Sequence, residues 1–203
     1  SLPRPLTPSA WCVLMEVSDT DDETHARQRF ERLLESALDK GLMEDAALSE
    51  SLAQAKAMWH LRESIPLAQS EEGLNVKHDI SLPISAIPDF VERTDMTLLK
   101  RFPGARLVNF GHLGDGNLHY NVQAPAGHEA AAFLVRHETE INQVVYDAVQ
   151  SVGGSISAEH GVGVLKREEL KHRKSPVALA MMQAVKGALD PHNLMNPGKV
   201  VSL

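Results

Sequence analysis

The stretch Val108-Asn109-Phe110-Gly111-His112-Leu113-Gly114-Asp115-Gly116-Asn117-Leu118-His119-Tyr120-Asn121 decides how the rest of the chain is read. Asp-Gly between two runs of alternating apolar residues is a strong signal for a two-residue hairpin turn, whose central residues both need positive φ. With that turn at Asp115-Gly116, His112 faces His119 and Phe110 faces Asn121. Side chains alternate across a sheet, so His112, Asn117, His119 and Asn121 share one face. Leu107, Leu113, Leu118, Tyr120 and Val122 share the other, which is the core side. Directly opposed side chains have Cβ atoms about 4.5–5.5 Å apart, and neutral imidazole is a common metal ligand. A tight hairpin is therefore a natural mount for a divalent cation. Two surface histidines on a half-exposed strand pair are the plainer alternative at this point.

Working outward, residues 74–82 alternate and read as a strand, as do 105–112 and 117–124 on either side of the turn. A first strand is expected over 11–18, a short one near 44–48 and another over 155–158. Helical spacing marks 22–40, with Asp19, Thr20 and Asp21 as available caps and Gly41 as the stop. It also marks the stretch from about Ser51 to 64, limited by Pro66, and the segments 84–101, 128–151, 164–172 and 176–189. A hairpin mixed with crossover helices predicts an α+β sandwich, an antiparallel sheet covered by helices mainly on one face.

The segment Ser155-Ile156-Ser157-Ala158-Glu159-His160-Gly161-Val162-Gly163 carries a short strand into a glycine-punctuated turn. Such ends are common places for functional side chains. Glu159 there, added to His112 and His119, makes a two-histidine, one-carboxylate set that leaves positions open for substrate. His160 beside it is a candidate base. Taken alone, Glu159-His160 is as readily a solvated pair. Arg62 offers a planar fork suited to a carboxylate, and Lys77 lies in the strand 74–82. Individually each also reads as a surface charge. The other histidines (His25, His60, His128, His137, His172 and His192) are read as structural or exposed.

Composition bounds the remaining possibilities. The 203 residues are 43% hydrophobic and 23% charged, with a net charge of -7. That is the profile of an ordinary globular chain able to bury a core, and it argues against nucleic acid as partner, since phosphate binding needs clustered Lys and Arg. The single cysteine, Cys12, sits in the apolar run Trp11-Cys12-Val13-Leu14-Met15, where a buried free thiol is expected. No apolar stretch approaches the roughly 18 residues that span a bilayer, and no signal segment opens the chain, so a cytoplasmic location is expected. Pro3, Pro5 and Pro8 with no initiator Met read residues 1–10 as a linker or a cloning boundary. Residues 11–203 are then one domain.

Three motifs, GHLGDGNLHYNV (111–122), SAEHGVGVLKREEL (157–170) and the tail DPHNLMNPGK (190–199), together resemble the C-terminal domain of the FAD-linked oxidase family. That family includes D-lactate dehydrogenases, the flavin subunit of glycolate oxidase and D-2-hydroxyglutarate dehydrogenases. The motifs fall in the family's order and approximate spacing, and the similarity runs over nearly the whole chain.

The resemblance implies a ferredoxin-like α+β cap domain and a set of roles. His112, His119 and Glu159 match positions that bind a divalent metal, zinc or manganese. Asn121 and His160 match substrate-site residues, with His160 the general base. Arg62 and Lys77 match contacts to the substrate carboxylates in the branch acting on D-2-hydroxy dicarboxylates, and Asn196 and Lys199 resemble residues near the flavin. One dicarboxylate branch has a threonine four residues after the matching arginine; this chain has Pro66 there, which leaves the exact acid open.

The implied activity is oxidation of a D-2-hydroxy acid to a 2-oxo acid, with FAD held by a flavin-binding domain of the parent protein. The glycines here serve the hairpin, a helix stop and the 161–163 turn, and none forms a pyrophosphate cradle. The chain by itself is therefore expected neither to hold FAD tightly nor to turn over. A homodimer is compatible with the sequence. Two other readings remain: a flavin-independent metalloenzyme built on His112, His119 and Glu159, and a non-catalytic binding domain that kept the fold.

Overall fold

Hydrophobic alternation places Val76, His78 and Ile80 on the same side of their strand as Leu118, Tyr120 and Val122 of the hairpin, and these six form the floor of the main core. The computed structural model, which describes residues 6, 8–20 and 22–202, divides into two compact units, 1–72 and 73–203. The expected linker over 1–10 lies largely outside the described residues.

The first unit is helical: α1 (Glu23–Asp39), α2 (Leu52–Glu63) and α3 (Ile65–Glu71). Asp22 caps α1, its carboxylate accepting the His25 backbone N–H at 2.8 Å. The expected caps fall elsewhere: Asp19 pairs with His25 and Arg29 instead, and Asp21 lies outside the described residues. Ser51 caps α2, and Pro66 sits in the first turn of α3, where its missing N–H costs nothing. The strands expected over 11–18 and 44–48 do not form. Neither run has a ladder partner, and a strand without one leaves its backbone groups to water. Cys12 in the first of them is exposed, not buried as expected, and Trp11 and Val13 are exposed with it.

The second unit has the predicted α+β form. β1 (Asn75–Ser81), α4 (Ile87–Arg101, entered through a 3-10 turn at Ile84–Ala86), β2 (Arg106–His112), β3 (Asn117–Gln123) and α5 (Ala130–Ser151) follow in order. The strands form an antiparallel sheet in the order β1-β3-β2. The strand expected over 155–158 is reduced to one antiparallel bridge, Ser155 to Ser81 on the outer edge of β1. With that bridge the order is that of a ferredoxin-like split βαβ sheet whose last strand has shrunk to a contact. α6 (Arg167–Arg173) and α7 (Pro176–Leu189) complete the chain.

Both long helices cover the same face of the sheet. Ile141, Val145 and Val149 of α5 are fully buried, as is Leu98 of α4, each such side chain contributing roughly 1.5–3 kcal/mol over exposure. Tyr120 is wholly buried, its ring edge-on to Phe90 and its hydroxyl donating to Asp95 of α4. His78, also wholly buried, ties the sheet to α5. Its Nδ1 is 2.7 Å from the Tyr120 carbonyl, its Nε2 is 2.9 Å from the Asn142 amide, and its ring meets Tyr146 edge-on.

The hairpin differs from the two-residue expectation. His112 pairs with Asn117, Phe110 with His119 and Val108 with Asn121. Four residues close the turn, three of them in a 3-10 turn at Leu113–Asp115, and only Gly116 has positive φ (75°). The Asp115 carboxylate accepts the Asn117 backbone N–H at 2.9 Å, which favours this longer turn over a type I′ turn. The register is displaced by two residues, and because the side-chain period is two, the paired residues keep their predicted faces; Leu113, expected on the core side, falls in the turn and is exposed.

Candidate functional site

The face of the sheet turned away from α4 and α5 carries Lys77, Asp79 and Ser81 from β1, Asn117, His119 and Asn121 from β3, and Phe110 and His112 from β2. Asp79 stands directly opposite His119 in the ladder, Ser81 opposite Asn117, and Lys77 opposite Asn121. Phe110, on the other side of His119, stacks on its imidazole with ring centres 4.8 Å apart and planes 27° apart. His119 is thus held between an acid and an aromatic ring.

The chain returns to this point after α5. Beyond the Ser155 bridge, the backbone N–H groups of Ala158, Glu159 and His160 donate to Oδ2 of Asp79 at 3.1, 2.8 and 2.8 Å. That turn brings the Glu159 carboxylate to 3.8 Å from His119 Nε2, and the His160 ring centre to 5.8 Å from that of His119. His160 Nδ1 is 4.0 Å from the Asp79 carboxylate. Ligand-capable atoms of Asp79, His119 and His160 all lie within 4.8 Å of one another. Burial pushes the Asp79 carboxyl up, but the N–H groups of His160 and Glu159, the nearby His160 ring and the Ala158 N–H outweigh it. The group ends below the ordinary carboxylate range.

Of the expected ligands, His119 and Glu159 come together, with His160 beside them. His112 lies on the same face at the end of β2, diagonal to His119 rather than opposite it. Diagonal neighbours on a sheet have Cα atoms about 7–8 Å apart, within reach of long side chains. Asn121 is buried two residues along from His119, and Lys77 is exposed opposite it. Asn196 and Lys199 are exposed in the tail, which is folded back by Arg167 donating to the Gly198 carbonyl at 2.9 Å and by the Val200 N–H donating to Gly163 at 2.8 Å. Arg62 ends α2 in the first unit.

The donor chemistry fits a divalent cation. Imidazole and carboxylate are ligands of zinc and manganese alike. Next to His119, Oδ1 of Asp79 and both amide atoms of Asn117 are buried without a hydrogen-bond partner. Such groups normally find partners, so a polar species at this point would complete them. Asp79 is the residue that sequence reasoning missed, while Asn117, which alternation places on this face, was given no role there. An acid at the polar position of a strand, two residues from a lysine, was the available signal, but nothing in the sequence shows that it is only 2% exposed.

Residues 2–200 match the family described as FAD linked oxidases, C-terminal domain. The chain is 38% identical over 181 residues to the D-2-hydroxyglutarate dehydrogenase of Stutzerimonas stutzeri, covering 88% of this chain and 39% of that protein. It is 37% identical over 189 residues to the mitochondrial D-2-hydroxyglutarate dehydrogenase of Arabidopsis thaliana (93% and 32%). With the Rattus norvegicus mitochondrial protein it shares 36% over 200 residues (98% and 36%). The chain spans about a third of the length of these curated relatives. With the family match running over residues 2–200, this chain belongs to the C-terminal domain family of the FAD linked oxidases.

Proposed function

We propose that this domain is the substrate- and metal-binding part of a flavin-dependent dehydrogenase that oxidises a D-2-hydroxy acid to a 2-oxo acid. The observation that carries the reading is the convergence of His119, Glu159 and His160 from two distant parts of the chain onto one spot of the sheet's polar face. His119 and Glu159, joined by His112 from the end of β2, would hold a zinc or manganese ion. When bound, the cation supplies positive charge that acidifies a neighbouring hydroxyl, and a flavin held elsewhere in the full-length protein accepts the electron pair of the α-hydrogen.

The residues of this chain orient the acid and move its proton. His160 is more than half exposed beside His119, so its ring can accept the hydroxyl proton of a bound hydroxy acid. The Asn121 amide, on the same face, is a hydrogen-bond donor for the α-carboxylate, and the Lys77 ammonium opposite it supplies charge for an acidic group. Phe110 fixes the plane of the His119 ring. Asn196 and Lys199 lie in the tail that the resemblance to the FAD linked oxidases places near the flavin. A flavin-independent metalloenzyme would use the same three ligands but leaves that tail without a role.

Steady-state assay of the full-length natural protein with a dye acceptor tests the reading, using a panel of D- and L-2-hydroxy acids headed by D-2-hydroxyglutarate. Turnover of at least one D-2-hydroxy acid is expected, lost on metal chelation and restored by Zn²⁺ or Mn²⁺. Turnover unaffected by exhaustive chelation would remove the metal from the account, and no turnover of any member would remove the substrate class.

A further inference from the structure

The segment that delivers Glu159 and His160 has almost no regular structure to hold it. Among the described residues its only bridge to the sheet is Ser155–Ser81, and it enters no helix until Arg167. Yet three consecutive backbone N–H groups, those of Ala158, Glu159 and His160, point at a single oxygen, Oδ2 of Asp79. The Ala158 N–H is also 3.2 Å from the Asp79 backbone carbonyl. Asp79 is itself locked in the ladder directly opposite His119.

We propose that Asp79 is a positioning residue: its carboxylate replaces the missing fourth strand and sets Glu159 and His160 against His119. The proposal rests on the reading of His119 and Glu159 as cation ligands, and adds the group that decides whether they meet. A carboxylate suits the task. A single anionic oxygen can accept several N–H donors, and charge-assisted bonds are about twice as strong as neutral ones. Hydrogen bonds to charged groups contribute more than ordinary ones, and a buried acceptor is costly only when left unpaired. Because the oxygen sits on β1 across from His119, the distance from the turn to His119 is fixed through one side chain and one rung of the ladder. Groups that orient ligands in this way govern metal affinity nearly as strongly as the ligands themselves.

The test uses the full-length natural protein with Asp79→Ala and Asp79→Asn. Two quantities are read: Zn²⁺ affinity by chelator competition, and backbone hydrogen exchange of the peptide spanning 157–163. Asp79→Ala is expected to weaken Zn²⁺ binding about 10- to 100-fold and to speed exchange of that peptide at least about tenfold, the loss expected when its N–H groups lose their shared acceptor. Asp79→Asn keeps an oxygen but not the charge, so it should fall between wild type and Asp79→Ala on both scales; it also supplies the result if the alanine variant does not fold.

Unchanged exchange in both variants overturns the anchor. Faster exchange with unchanged Zn²⁺ affinity overturns the positioning role, because a merely structural contact would behave that way. If the wild-type protein itself takes up no Zn²⁺ or Mn²⁺, the metal reading fails, and the exchange measurement still decides whether Asp79 holds the turn.

Discussion

Acidification should loosen the junction of β1 with α5 through one residue, His78. Its ring is fully buried, with Nδ1 facing the Tyr120 carbonyl and Nε2 facing the Asn142 amide. Both facing atoms are oxygens, the Tyr120 carbonyl and Asn142 Oδ1, and acceptors at both ring nitrogens favour the doubly protonated ring. Burial disfavours the imidazolium more than these two contacts favour it, and the charge of Lys166 adds to the effect. The pKa is lowered from 6.5 to about 4.

The sign follows from linkage. The unfolded chain takes up this proton at higher pH than the folded one, so the contribution is intact above the unfolded pKa and is lost as pH falls from 6.5 toward 4. Between those two values each step of one in pH removes about 1.4 kcal/mol. Relative to neutral pH the loss is therefore about 2 kcal/mol at pH 5 and about 3 kcal/mol at pH 4. Hydrogen exchange of the β1 and α5 peptides, corrected for intrinsic rates, reads this directly, with His78→Gln as the control that cannot titrate. The variant should be less protected than wild type at pH 7, and the two should converge by about 2 kcal/mol at pH 5. Parallel curves for the two proteins would refute the assignment to His78.

Other consequences follow from particular contacts. Gly116→Ala should lower the midpoint of thermal unfolding sharply, because a Cβ there would sit 2.1 Å from the Leu82 carbonyl oxygen at φ 75°; left-handed strain alone costs about 1–3 kcal/mol, and a shift smaller than about 2 °C would contradict the packing. Phe110→Ala removes the ring stacked on His119 and should weaken Zn²⁺ binding by roughly two- to tenfold, the equivalent of about 0.5–1.5 kcal/mol for such a pair; affinity equal to wild type would show that the stack does not orient His119. Tyr120→Phe removes a hydrogen bond that counteracts burial at Asp95, whose carboxyl already lies above its ordinary value. The Asp95 pKa should rise further, and carboxyl-carbon NMR titration showing a fall would sink that account.

The sequence made the hairpin and its faces legible, but not its register. Asp115-Gly116 announces a turn, yet whether Asp115 takes positive φ or instead accepts the Asn117 N–H is a local competition that composition leaves open. The error was harmless to the face assignment because it amounted to two residues. It moved His112 from opposite His119 to the diagonal and brought in Phe110, whose stacking no spacing rule announces. The run Trp11–Ser18 has strand composition but no partner, and pairing is a property of the whole fold rather than of the run. Residues 155–158 are too short to show whether they make a strand or a single bridge. Asp79 was hidden for a related reason: alternation shows which face it is on, but not that three N–H groups from 79 to 81 residues away converge on it.

The central claim is that His119 and Glu159 grip one divalent cation with His112. Its most direct test is metal content and Zn²⁺ affinity of the full-length protein and of its His112→Ala, His119→Ala and Glu159→Gln variants. The account predicts one tightly held divalent ion per chain in the wild type, and at least about a hundredfold weaker binding when either imidazole is removed, since each ligand of a three-residue set is indispensable. Full occupancy in His119→Ala, with wild-type affinity, would contradict it.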